Sequence, residues 1–117
     1  MTATSRFDRE LLKGNTATVV LAILGEGPLH GYQIAKEMQR RTDDALKLGQ
    51  GVLYPILHRL EDRGLISGEW EQSVGTPSRK RYAITAAGRA ELKAKRREWT
   101  AFARAMAKVL DGGGGKR

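Results

Sequence analysis

The sequence predicts a mainly α-helical protein that carries a small two-stranded β-wing and ends in one long helix, and three observations carry that expectation. Apolar residues recur with a helical period in stretches between Glu10 and Leu60. The period switches to two only between Ile66 and Ile84. After Thr85, apolar residues return at intervals of seven, at Leu92, Trp99 and Met106, along a helix that the preceding elements are too short to cover.

Residues 1–9 read as a flexible N-terminus. The first helix is expected from about Glu10 to Leu24, with Leu11, Leu12, Val19, Val20, Ile23 and Leu24 among its apolar positions and Gly14 and Asn15 able to delay its start. From Ala17 onward it is apolar nearly all round, so it needs either a central position or a partner subunit. Gly25, Gly27 and Pro28 end it. A second helix follows residues 29–32, with Ile34, Ala35 and Met38 inward and Gln33, Lys36, Glu37, Gln39 and Arg40 outward. Beyond a polar connection, the run LGQGVLYPILHRLEDRGLI holds a third helix with Leu53, Ile56, Leu57 and Leu60 as its buried stripe. Pro55 has no N–H to donate and is expected within about the first turn, which puts Gln50 or Gly51 near the helix start.

After Gly64, one strand face holds Ile66, Gly68 and Trp70, and the returning strand holds Lys80, Tyr82 and Ile84. The intervening SVGTPS is too long for a two-residue turn, so the ribbon has a loose tip. Thr85 is the expected N-cap of the last helix, which runs to about Asp111 before a flexible GGGGKR tail.

At 117 residues the chain fits one globular unit, able to bury roughly two thirds of its unfolded surface. No apolar run approaches the ~20 residues of a membrane span, and the N-terminus lacks the apolar core of a signal peptide. A cytoplasmic protein with no membrane partner is expected. The absence of cysteine excludes disulfides, cysteine-based zinc sites and thiol catalysis. Neither His30 nor His58 has a nucleophile or second base arranged beside it. The spacing of His58 to Glu61 or Asp62 suits a metal pair, but charged helix surfaces produce it often. No catalytic residue, metal site or cofactor is expected.

The net charge is +8, and residues 79–97 hold eight basic side chains against one acidic, Glu91. A solvated surface does not account for the missing acidic neighbours, and part of this cluster is expected to face phosphate.

Three helices followed by a hairpin make a winged helix-turn-helix, in which the third helix enters the DNA major groove and the hairpin follows the backbone. The expected plan is a flexible N-terminus over 1–9, a winged helix-turn-helix DNA-binding domain over 10–84, a C-terminal dimerisation helix over 85–111 and a flexible tail over 112–117. Gly49, Gln50 and Gly51 would let the start of the third helix approach DNA closely. Gln50 has two equal readings, a bidentate contact to adenine or a helix cap. Tyr54 lies off the centre of the buried stripe and is expected to reach phosphate through its hydroxyl. Arg59 divides evenly between DNA and an ion pair with Asp62. Arg79 and Arg81 share a strand side and flank the wing, while Lys80 lies with Tyr82 and reaches over Trp70. Tyr32, Pro55, Thr76 and Ser78 complete the expected DNA-facing set.

These residues resemble the PadR-like transcriptional regulators. The resemblance rests on His30-Gly31-Tyr32, on the G-x-L-Y-P-x-L-x-R-L-E run from Gly51 to Glu61, on Gly64-Leu65-Ile66 with Trp70, and on R-K-x-Y-x-I-T-x-x-G ending at Gly88. It covers nearly the whole chain. Val52 departs from the pattern, standing where the family commonly has threonine and losing a hydroxyl that could bond phosphate or base.

The resemblance implies a homodimeric bacterial repressor of the compact branch. Its double-stranded operator would be palindromic, and its last helix would exchange contacts with the partner's N-terminal region. Leu11, Leu12, Val19, Leu92, Trp99, Phe102, Met106, Val109 and Leu110 are the expected dimer interface. Family members that respond to flat aromatic compounds hold them at that interface, which makes Trp99 and Phe102 candidates for a small aromatic effector. The alternative is a winged-helix protein-interaction module without operator binding.

Overall fold

The computed structural model describes residues 12, 14–72, 74–75 and 77–112. In chain order the elements are α1 (Thr16–Leu24), β1 (Leu29–His30), α2 (Gly31–Arg41), α3 (Gln50–Asp62), β2 (Ile66–Glu71), β3 (Arg79–Ile84) and α4 (Ala86–Leu110). The mainly helical class with a wing and a long last helix is observed. The expected disorder of residues 1–9 and the expected roles of Leu11 and Thr76 lie outside the described residues, as does the tail beyond Gly112.

Two expectations about helix ends are corrected. The first helix takes the later start that Gly14 and Asn15 allow rather than the one near Glu10. Gly14 takes a positive φ of 83° in a turn with Asn15, and α1 starts at Thr16. Leu12 is helical, and its carbonyl accepts from Asn15 N at 3.0 Å and Thr16 Oγ1 at 3.2 Å, which closes the turn. Pro55 lies in the second turn of α3 rather than the first, because the N-cap is Gly49. The bond it forgoes is the one to the Gly51 carbonyl four residues back. Both residues are exposed, so water can satisfy that carbonyl.

The ribbon expected to have two strands is part of a three-stranded antiparallel sheet in the order β1-β3-β2. β1 pairs Leu29 with Tyr82 and His30 with Arg81. Two residues are too short to show a period of two, which is why the strand was read as a lead-in to α2. The wing register agrees with the expected faces, pairing Ile66 with Ile84, Gly68 with Tyr82 and Trp70 with Lys80.

The core lies where α1, α2 and α3 meet the base of the sheet. α1 contributes Val20, Leu21, Ile23 and Leu24, all nearly inaccessible, and occupies the central position its all-round apolarity required. Ile34 and Met38 come from α2, and Leu53, Ile56, Leu57 and Leu60 from α3. Ile66, Tyr82 and Leu92 close the far side.

The α2–α3 connection is a turn closed by its own polar groups. Asp43 and Asp44 have φ of 50° and 69°, a left-handed pair that aspartate tolerates better than most residues. Thr42 Oγ1 donates to Met38 O at 2.8 Å and accepts from Leu46 N at 2.9 Å, satisfying polar backbone at the end of α2. Thr85 caps α4 as expected, accepting from Gly88 N at 3.0 Å, and its hydroxyl also donates to Gly64 O at 2.7 Å.

Candidate nucleic-acid interface

The start of α3 is presented on the surface. Gly49, Gln50, Gly51 and Pro55 are all exposed, while Leu53, Ile56 and Leu57 anchor the same turns in the core. The Gln50 carboxamide makes no hydrogen bond among the described residues, which leaves it available to a partner and removes the cap reading. Tyr54 is half-buried. Its hydroxyl lies over Gly31, where an added Cβ would come within 2.6 Å of the oxygen, so a glycine at the start of α2 is what lets this ring lie between the two helices. Arg59 is exposed and forms no ion pair with Asp62 among the described residues, correcting that expectation; their separation along the helix permits a pair without enforcing one.

The wing carries its charges on two faces. On one, His30, Glu71 and Arg81 form a chain across all three strands. His30 is only 6 % exposed. Its Nε2 is 2.8 Å from Glu71 Oε1, and Arg81 Nε donates to Glu71 Oε2 at 2.6 Å. At the other edge of the ring, Nδ1 is 3.1 Å from Gln33 Oε1, the atom that also accepts from His30 N at 2.8 Å. The wing is thereby tied to the first turn of α2. On the opposite face, Lys80 Nζ donates to Glu61 Oε1 of α3 at 3.0 Å and lies 5.6 Å and 5.5 Å from the ring centroids of Trp70 and Tyr82. The expected reach of Lys80 over Trp70 is therefore observed.

These ties change the reading of the basic run. The acidic partners that seemed missing come from other elements and from just beyond the run: Glu61 for Lys80, Glu71 for Arg81, and Glu98 for Lys95 at 3.2 Å. Arg79 is different. It is exposed, has no acidic partner among the described residues, and donates to the Tyr32 hydroxyl at 3.3 Å.

Arg81 and then His30 hold the Glu71 carboxyl down from its ordinary 4.5 to about 2. A depressed carboxylate contributes stability that is complete above pH 4.5 and is lost as the pH falls toward about 2. Glu71→Gln is accordingly expected to flatten part of the acid dependence of unfolding in that window and to leave the neutral-side slope unchanged. Urea titrations of both proteins across the window measure the difference; parallel curves would show that the tie contributes nothing.

Tyr32, Tyr54, Trp70, Ser78, Arg79 and Lys80 line a groove of about 370 Å³ between α3, the start of α2 and the wing, together with His30, Gly31, His58 and Tyr82. The structure thus brings six expected or newly apparent side chains together, while Gly49, Gln50 and Gly51 stand apart at the tip of α3. Trp70, Glu61 and Glu71 were not among the expected site residues. The partnerships span 19 residues for Lys80 and Glu61 and 41 for His30 and Glu71, separations at which no local period reports contact.

The remaining expected residues lie along α4. Trp99, Phe102, Met106, Val109 and Leu110 are exposed in the single chain. Leu92 is 6 % exposed, because it packs within the chain's own core. A second cavity of about 610 Å³ lies between α1, α2 and α4, lined among others by Leu12, Val19, Ile23, Arg41, Leu92, Arg96 and Trp99. Phe102 is outside it and borders a smaller cleft of about 230 Å³ that also touches Trp99. Among the described residues, no group of three or more acidic, histidine or cysteine side chains could hold a metal ion, and no helix is long and apolar enough to cross a membrane.

Residues 20–94 match the model of the transcriptional regulator PadR-like family. A transcriptional regulator of Mycobacterium tuberculosis is 33 % identical over 82 % of this chain and 86 % of its own length. The structure of a transcriptional regulator from Clostridium thermocellum superposes with a TM-score of 0.80 at 28 % identity, covering 87 % of this chain and 96 % of that one. A PadR family transcriptional regulator from Eggerthella lenta gives 0.77 at 31 % identity, with 88 % of each chain covered.

Proposed function

Since the chain belongs to the PadR-like family of transcriptional regulators, we propose that it acts as a homodimeric repressor whose paired α3 helices read a palindromic DNA operator. The observation that carries this reading is the exposed tip of α3, with Gln50 free, standing beside a wing whose Arg79 lacks an acidic partner. The winged helix-turn-helix over 10–84 is the reading head, and the helix over 85–111 joins two heads. Gln50 contacts a base edge. Gly49 and Gly51 admit the backbone closely, and Tyr32, Tyr54, Ser78 and Arg79 meet phosphate and sugar, while Arg81, expected among them, is held by Glu71.

The dimer reading is supported by the stripe of large apolar residues that α4 leaves exposed, from Trp99 to Leu110. Leu12 and Val19 line the cavity beside it, where a partner's residues can pack. In this proposal a flat aromatic effector stacks against Trp99 in the same cavity, where Arg96 meets an anionic group, Arg41 on that wall being already paired with Glu26 and Glu37. Because α4 follows directly from the wing at Thr85, a ligand that rotates α4 changes the separation of the two reading heads.

Affinity for duplex DNA measured against salt tests the proposal. Several phosphate contacts predict a steep negative log–log slope of ~0.9 per contact, and Arg79→Ala is expected to reduce it by about one contact. A slope near zero would leave the protein-interaction alternative.

A further inference from the structure

We infer that the groove between α3 and the wing seats one sugar–phosphate strand of bound DNA, with Trp70 as its apolar wall and Lys80 as the brace of that wall rather than a phosphate ligand. The inference rests on the DNA-binding reading and adds to it a residue and a division of labour.

Trp70 is 70 % exposed. Among the described residues the other exposed large apolar side chains are Tyr32 and Val74 and the stripe on α4, so Trp70 is the large apolar ring of the wing left open to solvent. An exposed indole presents a large flat apolar face with one polar N–H, which a partner of mixed chemistry can cover. Its orientation is imposed: the Lys80 ammonium is held between the rings of Trp70 and Tyr82 and bonded to Glu61. Lys80 is therefore already neutralised, and a phosphate could recruit it only by breaking this pair and exposing Glu61 to the same anion.

The occupant follows from the lining. A deoxyribose presents an apolar C–H edge and the adjoining phosphate presents anionic oxygens. The groove offers the Trp70 ring for the first, and for the second the Tyr54 hydroxyl, the Ser78 hydroxyl and the Arg79 guanidinium. When a helix enters the major groove and a hairpin follows the neighbouring backbone, the strand between them crosses this gap. A free phosphate has no use for the indole, and a purely apolar segment gains nothing from an arginine that lacks an acidic partner.

The 117-residue chain labelled with fluorotryptophan carries two such residues, and the fluorine resonance of Trp70 is identified by its loss in Trp70→Phe. Saturation with a mixed-sequence duplex of ~20 base pairs, about two helical turns, is expected to shift the Trp70 resonance and shield it from solvent. Trp70→Ala is expected to weaken this duplex and an operator-bearing genomic fragment alike, by roughly tenfold, with the salt slope unchanged. The double substitution Lys80→Met with Glu61→Gln removes the pair without altering net charge and is also expected to leave the slope unchanged. A Trp70 resonance unmoved while anisotropy shows the duplex bound, or a slope reduced by ~0.9 in the double variant, overturns the inference and leaves DNA binding intact. Failure to bind duplex at low salt overturns the DNA reading itself.

Discussion

Phe102→Glu is expected to turn the protein into a monomer in sedimentation and to weaken operator binding by roughly a thousandfold. Phe102 is 59 % exposed in the single chain, so a glutamate there costs the protomer's own core almost nothing. In a dimer the same carboxylate would be buried against the apolar stripe of Trp99, Met106, Val109 and Leu110, where an unpaired charge is prohibitive. The size of the binding loss follows from what one reading head can do. Non-specific binding lies on the order of 10⁻⁴ to 10⁻⁶ M, whereas specific regulators reach ~10⁻⁸ to 10⁻¹¹ M by using two half-sites. The monomer should therefore retain the weak, salt-sensitive mode with the operator preference gone. Far-ultraviolet circular dichroism checks that the fold persists, and an unchanged sedimentation coefficient would place the subunit contact elsewhere.

Gly88→Ala is expected to destabilise the protomer by about 3 kcal/mol, the upper end of what overpacking usually costs. A Cβ at this position would drive into the carbonyl oxygen of Leu65 and within 2.7 Å of Ile84 Cγ1. The carbonyl is backbone and cannot rotate away, and it is already committed as the acceptor of Thr85 N at 3.1 Å. Relief requires α4 to lift off the base of the wing, which also pulls Leu92 from the core. Urea unfolding measures the loss. A cost below about 1 kcal/mol would mean that the junction yields and that the wing and α4 are not rigidly connected. Gly31→Ala should be milder, since the atom it meets is the end of the Tyr54 side chain, but it displaces the ring from its place between α2 and α3.

How much of this was legible beforehand divides along the range of the interactions. The stripe of Leu53, Ile56, Leu57 and Leu60, the faces of the wing and the Thr85 cap depend on residues within a few positions of each other, and all are observed. Gly14 and Asn15 delay the first helix to Thr16, as their residue types allow, and Pro55 lies in the second turn of α3 rather than the first. Helix ends turn on single capping residues, and Gly49 caps through its backbone alone. β1 was missed because two residues carry no period. The site was half legible. Strand alternation set Lys80 apart from Arg79 and Arg81, and the cap reading of Gln50 is removed, but no local pattern in Arg79-Lys80-Arg81 tells which of the three cations has an acidic partner. Only the fold reveals Glu61 and Glu71 beneath two of them. A charge cluster in a sequence reports the cations and hides which of them tertiary structure has already engaged.

In the proposed dimer, two copies of α3 read two half-sites. Hydroxyl-radical footprinting on a genomic fragment that the protein retains tests it most directly. Two protected backbone patches related by a two-fold axis are expected, with centres about one helical turn or a multiple apart. One isolated patch at saturating protein, or protection with no fixed spacing, would contradict it.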